Sequence, residues 1–261
     1  MKKIFGLFLA IMLLVPCVLA KDLRFVQVTD VKYDTSAKNE KLKTAVSEIN
    51  NQKDVDFIVF TGDNIAHPTK KNLKGFLAEA KKLKKPFYVV IGDRDVNKRK
   101  DFGKKEFTKY VHRHVCGYKA KTPNYVFERG GVVFLVADGA KEVIPSTTGY
   151  YKDDVLEWLD ANLSVYSNKP VVILQHFPVV PPAKRETYYT FKSDKYLEIL
   201  SKHDNVKAVV AGHFGVNNEQ TADNIVHIST APLPYYRIID LIDYDKDNMT
   251  IWAEVKEISN K

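Results

Sequence analysis

Five side chains of metal-ligating type, Asp30, Asp63, Asp93, His176 and His213, each follow closely on an apolar run. Carboxylates and imidazoles together form a hard-to-borderline donor set suited to Zn, Mn or Fe. One such residue alone is ordinary, because an isolated Asp caps a turn and an isolated His hydrogen-bonds inside a core. Five at the ends of five separate runs form a pattern, and a shared divalent-metal site is its direct reading. Further charge stands beside them: Lys32 two residues after Asp30, and Arg94 and Asp95 directly after Asp93. Charges at such places are costly unless they are paired or bind something.

The runs that carry these residues read as β-strands. LRFVQV, residues 23–28, precedes Thr29-Asp30; FIVF, residues 57–60, precedes Thr61-Gly62-Asp63; FYVVI, residues 87–91, precedes Gly92-Asp93. Helical spacing separates them, with Leu42, Ala45, Val46 and Ile49 over 41–50 and Leu73, Phe76, Leu77, Ala80 and Leu83 over 72–84. Alternating strand and helix predicts a mostly parallel, helix-covered sheet, whose ligands bind beyond the carboxyl ends of the strands. A hairpin is expected over 125–137 around Gly130-Gly131, then a helix over 153–163. Two more strands end at Gln175-His176 and Gly212-His213, and a hairpin over 236–255 closes the chain.

In order and spacing these motifs resemble those of the calcineurin-like metallophosphoesterases, which include purple acid phosphatases and cyclic-nucleotide phosphodiesterases. The matching segments are Thr29-Asp30-Val31-Lys32, Gly62-Asp63-Asn64, Gly92-Asp93-Arg94-Asp95, His176-Phe177-Pro178 and Gly212-His213-Phe214-Gly215. The resemblance implies an α/β fold of two packed mixed β-sheets flanked by helices, a four-layer sandwich, as one domain over residues 21–261. It further implies hydrolysis of phosphate mono- or diesters by a metal-activated water. Asp63, Asp93, His176 and His213 correspond to one complete metal site. Asp30 and Asp63 remain of the other, but the two histidines expected there are Lys32 and Gly215, and Arg94 replaces the histidine that serves the leaving group.

Three carboxylates, one divalent cation and the Lys32 ammonium sum to zero charge, so the expectation is one metal per chain with Lys32 standing in for the second. Arg94 and Lys32, with Asp95 beside them, are the expected catalytic residues, although Arg cannot act as a general acid because its pKa exceeds about 12. The alternative reading is a catalytically inactive module that binds a small phosphate-containing anion. His67 and Asp34, four residues after Asp63 and Asp30, are candidates to rebuild the damaged site from a loop. Tyr188-Tyr189, Tyr235-Tyr236 and the FPVVPP segment are candidates for the cleft wall. No role is assigned to His112 or His114; His203 is read as a helix C-terminal cap and His227 as a core residue.

Composition bounds the rest. At 261 residues, 45% hydrophobic and 28% charged, the chain is neither collagen-like nor disordered. Residues 1–20 carry Lys2-Lys3, an apolar run and Val18-Leu19-Ala20, the pattern of a secretory signal cleaved after Ala20, and the run is shorter than the roughly 20 residues of a spanning helix. Cleavage would leave Cys116 as the single thiol of a secreted or periplasmic chain, and no intrachain disulfide. The net charge is +8, with thirteen Lys and Arg between Lys70 and Lys105, which favours anionic partners; no nucleic-acid motif is present.

Overall fold

Residues 22–115, 117–185 and 187–259 are described by the computed structural model. The expected signal segment and both cysteines lie outside the described residues. Strands β1 (Leu23–Val28), β2 (Phe57–Thr61) and β3 (Phe87–Val90) run parallel, with α1 (Glu40–Ile49) and α2 (Lys70–Ala80) as their crossovers. After α3 (Lys104–His114) come the hairpin of β4 (Tyr125–Arg129) and β5 (Val132–Ala137), then α4 (Asp153–Val165), β6 (Val171–Gln175), α5 (Ser193–Leu200) and β7 (Val206–Ala211). Two hairpins finish the fold, β8 (Asn218–Ala222) with β9 (Ile225–Ser229), and β10 (Tyr235–Ile242) with β11 (Thr250–Glu257).

These strands make two mixed sheets, ordered β11-β10-β1-β2-β3 and β4-β5-β6-β7-β9-β8. In the first, β10 pairs antiparallel with β1; in the second, β5, β6, β7 and β9 are parallel and the edge strands β4 and β8 are antiparallel. β2, β3, β5 and β6 are buried at every residue, as strands covered on both faces must be. Between the sheets, Phe25 and Phe57 stack at 5.0 Å while Phe134 of the opposite sheet meets both edge-on at 5.7 and 5.1 Å. On the outer side α2 buries Leu73, Phe76, Leu77 and Ala80, and Phe76 meets Phe60 of β2 edge-on at 5.0 Å.

Two expectations shift. α2 begins at Lys70 because the Thr69 side chain caps it, accepting from Asn72 N, and it ends at Ala80 because Lys82 and Leu83 bond three residues back in a tighter turn. α3 escaped the sequence reading because it is rich in Lys, Arg and His and buries only Phe107, Thr108 and Val111.

Candidate metal centre

The crevice is built by backbone turns that few residue types adopt willingly. Asp30, Lys32, Asp63 and His213 all have positive φ, between 50° and 69°, a conformation that disfavours any side chain with a Cβ by about 1 kcal/mol or more. Hydrogen bonds hold these turns: Asp30 N donates to Gly62 O, Lys32 N to Asp63 O, and His213 N to the Asp30 carboxylate at 3.0 Å. Close approach explains the glycines beside them. A Cβ on Gly62 would lie 2.4 Å from His176 Nδ1, and one on Gly212 would lie 1.9 Å from Thr29 Oγ1. Gly62 and Gly212 therefore let the strand ends of the two sheets come together.

The carboxylates come from one sheet, at the ends of β1, β2 and β3, and the imidazoles from the other, at the ends of β6 and β7. Their side chains meet. His176 Nε2 and His213 Nδ1 are 3.2 Å apart, each lies 3.3 Å from Asp93 Oδ1, and Asp63 Oδ1 is 3.5 Å from His176 Nε2. Asp93 Oδ1 is buried and forms no hydrogen bond. Donor atoms about 3.3–3.4 Å apart are what tetrahedral bonds of about 2.0–2.1 Å to zinc produce, and the donor types suit the same ion. The residues thus fit a divalent cation.

The outer nitrogens of both imidazoles are already engaged, His176 Nδ1 with Thr61 O at 2.8 Å and His213 Nε2 with Thr147 O at 2.7 Å, which fixes both rings. Beside this cluster, Asp30, Asp63 and His176 form a second group whose donor atoms lie within 4.8 Å of one another. There a cation of the chain's own enters: Lys32 Nζ is 3.0 Å from Asp30 Oδ1 and 3.9 Å from Asp63 Oδ2. Arg94 Nε lies 3.3 Å from the same Asp63 oxygen, and Arg94 N donates to Asp63 Oδ1 at 2.9 Å. Lys32 and Arg94 remain 39% and 48% exposed at their side chains, so both still face the mouth.

Electrostatics match this crowding. Burial pushes the Asp63 carboxyl up to about 8, with Asp93 and Asp30 adding to it against the pull of His176. Burial also opposes charge on His176, but Asp63, Asp93 and Asp30 outweigh it and raise the imidazole to about 10. Burial likewise works against ionised Asp30 and Asp93, yet His176 with Lys32, and His176 with His213, hold these two carboxyls below the usual range. Burial lowers His213. So many carboxylates in one dry pocket demand positive charge, which a bound cation supplies while displacing protons.

All five expected ligands converge, and Lys32, Arg94 and Gly215 line the same recess, with Thr147, Arg185, Tyr188 and Pro232 completing it. Asp95 stands elsewhere. It is fully buried and accepts from Gly92 N, Ile65 N and Asn64 Nδ2 at 2.8–3.0 Å, so it pins the third loop to the second instead of facing substrate. His67 and Asp34 pair with each other at 3.7 Å and belong to neither ligand group. Tyr188 packs its ring 4.8 Å from His213, whereas Tyr236 is buried on β10, away from the recess. His203 bonds Asp160 Oδ1 at 2.6 Å across to α4, and His227 is a buried residue of β9. Thr147 and Arg185 were not anticipated, since both sit in loops without a periodic or motif signal.

The family model for calcineurin-like phosphoesterases matches residues 23–217. A protein named "Probable glycerophosphodiester phosphodiesterase GpdQ", from Arcobacter nitrofigilis, is 24% identical over 238 residues, 85% of this chain and 81% of its own. A dimetal phosphatase from Danio rerio has a similar fold, with a TM-score of 0.67 at 15% identity over 91% of this chain and 99% of its own. A purple acid phosphatase from yellow lupin seeds gives 0.65 at 14% identity, over 91% of this chain and 52% of its longer one. The matched span runs from β1 through the turn that carries His213 and Gly215, and so takes in the ligands from both sheets; the chain belongs to the calcineurin-like phosphoesterase family.

Proposed function

We propose that this chain is a secreted, metal-dependent phosphoester hydrolase that works with a single divalent cation, the Lys32 ammonium serving in place of a second. The observation that carries this reading is the contrast between the two halves of the site: among the described residues no Lys or Arg pairs with the Asp93, His176 and His213 group, whereas beside it Lys32 already stands 3.0 Å from Asp30. Asp63, Asp93, His176 and His213 would hold the cation, which would supply Lewis acidity and activate a water. Arg94 and Lys32 bind the non-bridging phosphoryl oxygens and stabilise the charge that develops on them; Arg94 has both terminal nitrogens beyond the Nε that faces Asp63. Both imidazoles are committed on each nitrogen, Arg94 cannot release a proton, and the Lys32 ammonium is held against Asp30, so we take the proton of the leaving alcohol to come from solvent. Esters of acidic alcohols are therefore the better substrates.

Phosphodiesters are the first substrates to assay, given the name of the Arcobacter relative. Purified protein loaded with Mn or Zn is expected to bind about one ion per chain by elemental analysis, and to hydrolyse an activated aryl phosphodiester. Asp63→Ala is expected to lose both. Two ions per wild-type chain would sink the one-cation assignment. The second reading, an inactive module that binds a phosphate-containing anion, is favoured by Lys32 and Arg94 both neutralising Asp63. Metal binding without turnover of mono- or diesters under any of these metals would select it.

A further inference from the structure

Seven large apolar side chains stand exposed among the described residues, and four of them lie on the two loops that also supply Thr147, Arg185 and Tyr188 to the metal recess. These are Val143 and Ile144, 51% and 64% exposed, and Tyr189 and Phe191, 43% and 45%. Their two loops form one unit. Gly149 N donates to Tyr189 O, Phe191 N donates to Gly149 O, and Thr147 Oγ1 donates to Thr187 O at 2.9 Å. Thr147, between the two apolar pairs, both lines the metal recess and accepts from His213 Nε2. The apolar tips are thus carried by two joined loops that border the recess.

Cations surround them. The 3₁₀ turn Lys98–Lys100 is tied to the first loop by Lys98 N donating to Glu142 O at 2.7 Å. With Pro145, Ser146 and Thr147, Lys100 lines a recess of about 260 Å³ that opens onto Asp93 and Arg94. All three turn residues are exposed, and none forms an ion pair among the described residues; Asp101 is the acid that follows them. On the second loop Lys192 lies 5.4 Å over the Phe191 ring and Arg185 lies 5.4 Å over Tyr188. Beside them Pro181, Pro182 and Ala183 form an apolar hollow with Lys184 on its lip.

We propose that this rim docks on an anionic phospholipid bilayer and brings the crevice against the headgroups. Protruding aliphatic and aromatic tips enter the boundary between headgroups and acyl chains, where Tyr and Phe edges are well solvated, while the flanking Lys and Arg meet anionic headgroups. Charge decides between the occupants. A second copy of a chain with net charge +8 would set these cations against their own kind, whereas a negative bilayer complements them. Exposed apolar patches of this kind mark interaction sites.

Sedimentation of the purified full chain with vesicles tests the proposal, using phosphatidylcholine with and without phosphatidylserine. Wild type is expected to sediment with the anionic vesicles and at least about tenfold more weakly with phosphatidylcholine alone, as several cation contacts require. Ile144→Asp with Phe191→Ser is expected to weaken binding about tenfold or more. Lys98→Gln, Arg99→Gln and Lys100→Gln together should weaken it and flatten its salt dependence. Each protein is also tested with residues 1–20 removed, as cleavage after Ala20 would leave it, because the lipid affinity of that apolar segment would otherwise mask the loss. Wild type that stays in the supernatant with both vesicles, or an Ile144→Asp, Phe191→Ser protein that sediments as wild type does, overturns the proposal. A dimer in sedimentation velocity that the same variant abolishes does so too, by assigning the patch to a second copy. Vesicle binding needs no turnover, so loss of hydrolysis in Asp63→Ala leaves this inference standing.

Discussion

At the scale of single residues, the Lys32 amine stands against two carboxylates of the second ligand group. Lys32 is anchored by its own left-handed backbone and by Asp30 at 3.0 Å, and Gly215 leaves the neighbouring position open, the nearest atom to a Cβ there being Pro232 Cδ at 3.9 Å. Lys32→His with Gly215→His is therefore expected to raise the metal content from about one to about two ions per chain. Elemental analysis of the double variant checks this, and an unchanged content would mean that the second group cannot hold an ion even with imidazoles supplied. The strain of a side chain at Gly215, whose φ is 68°, should lower stability by about 1 kcal/mol. The five candidate ligands were legible because each lies within three residues of the end of a strand, where chain direction leaves few places to go. Asp95 was misjudged because neighbours in a tight turn point apart: Arg94 faces the mouth and Asp95 the interior. Thr147 and Arg185 reach the mouth through tertiary packing of loops, for which local sequence holds no periodicity.

At the scale of elements, α3 is attached to the second sheet through its first residue. Lys104 Nζ lies 2.6 Å from Asp138 Oδ2, just past β5, and donates to Ala140 O at 2.6 Å. Burial pushes the Asp138 carboxyl up and the Lys104 ammonium draws it back. Lys104→Met leaves a buried carboxylate unpaired and is expected to destabilise the fold by about 3–5 kcal/mol in urea titration, with Lys104→Met, Asp138→Asn recovering much of the loss. β9 carries a second sensitivity. His227 is buried there, and burial, opposed by Asp223, lowers its pKa to about 4. Its unfolded value is about 6.5, so between these values the unfolded chain binds more protons and stability falls as pH falls. His227→Gln should remove that slope between about pH 6.5 and pH 4 in thermal melts; an unaltered slope would place the burden on other groups. Most strands and the first two helices were readable from apolar period, but α3 was not, because its charged surface dilutes the few core contacts it makes.

At the scale of the whole molecule, the two sheets are joined by more than aromatic packing. Gln27 of β1, fully buried, donates to Thr61 Oγ1 within its own sheet and to Ala211 O of the other, and accepts from Thr230 at 2.6 Å. The ligands divide along the same seam, with Asp63 and Asp93 on one side and His176 and His213 on the other. A cation bound across it stabilises only the folded chain, so free metal at about 100 times its dissociation constant should add about 2.7 kcal/mol. Calorimetry should show a melting temperature that rises with added Mn or Zn and falls with chelator, a response that His213→Ala lacks. The division of the ligands also dictates an order of events in the life of the protein. Neither sheet alone presents all four donors, so a cation held by all four would bind in full only after the sheets have docked. The identity of such a cation would then follow the compartment in which folding ends, and not the place where the polypeptide is made.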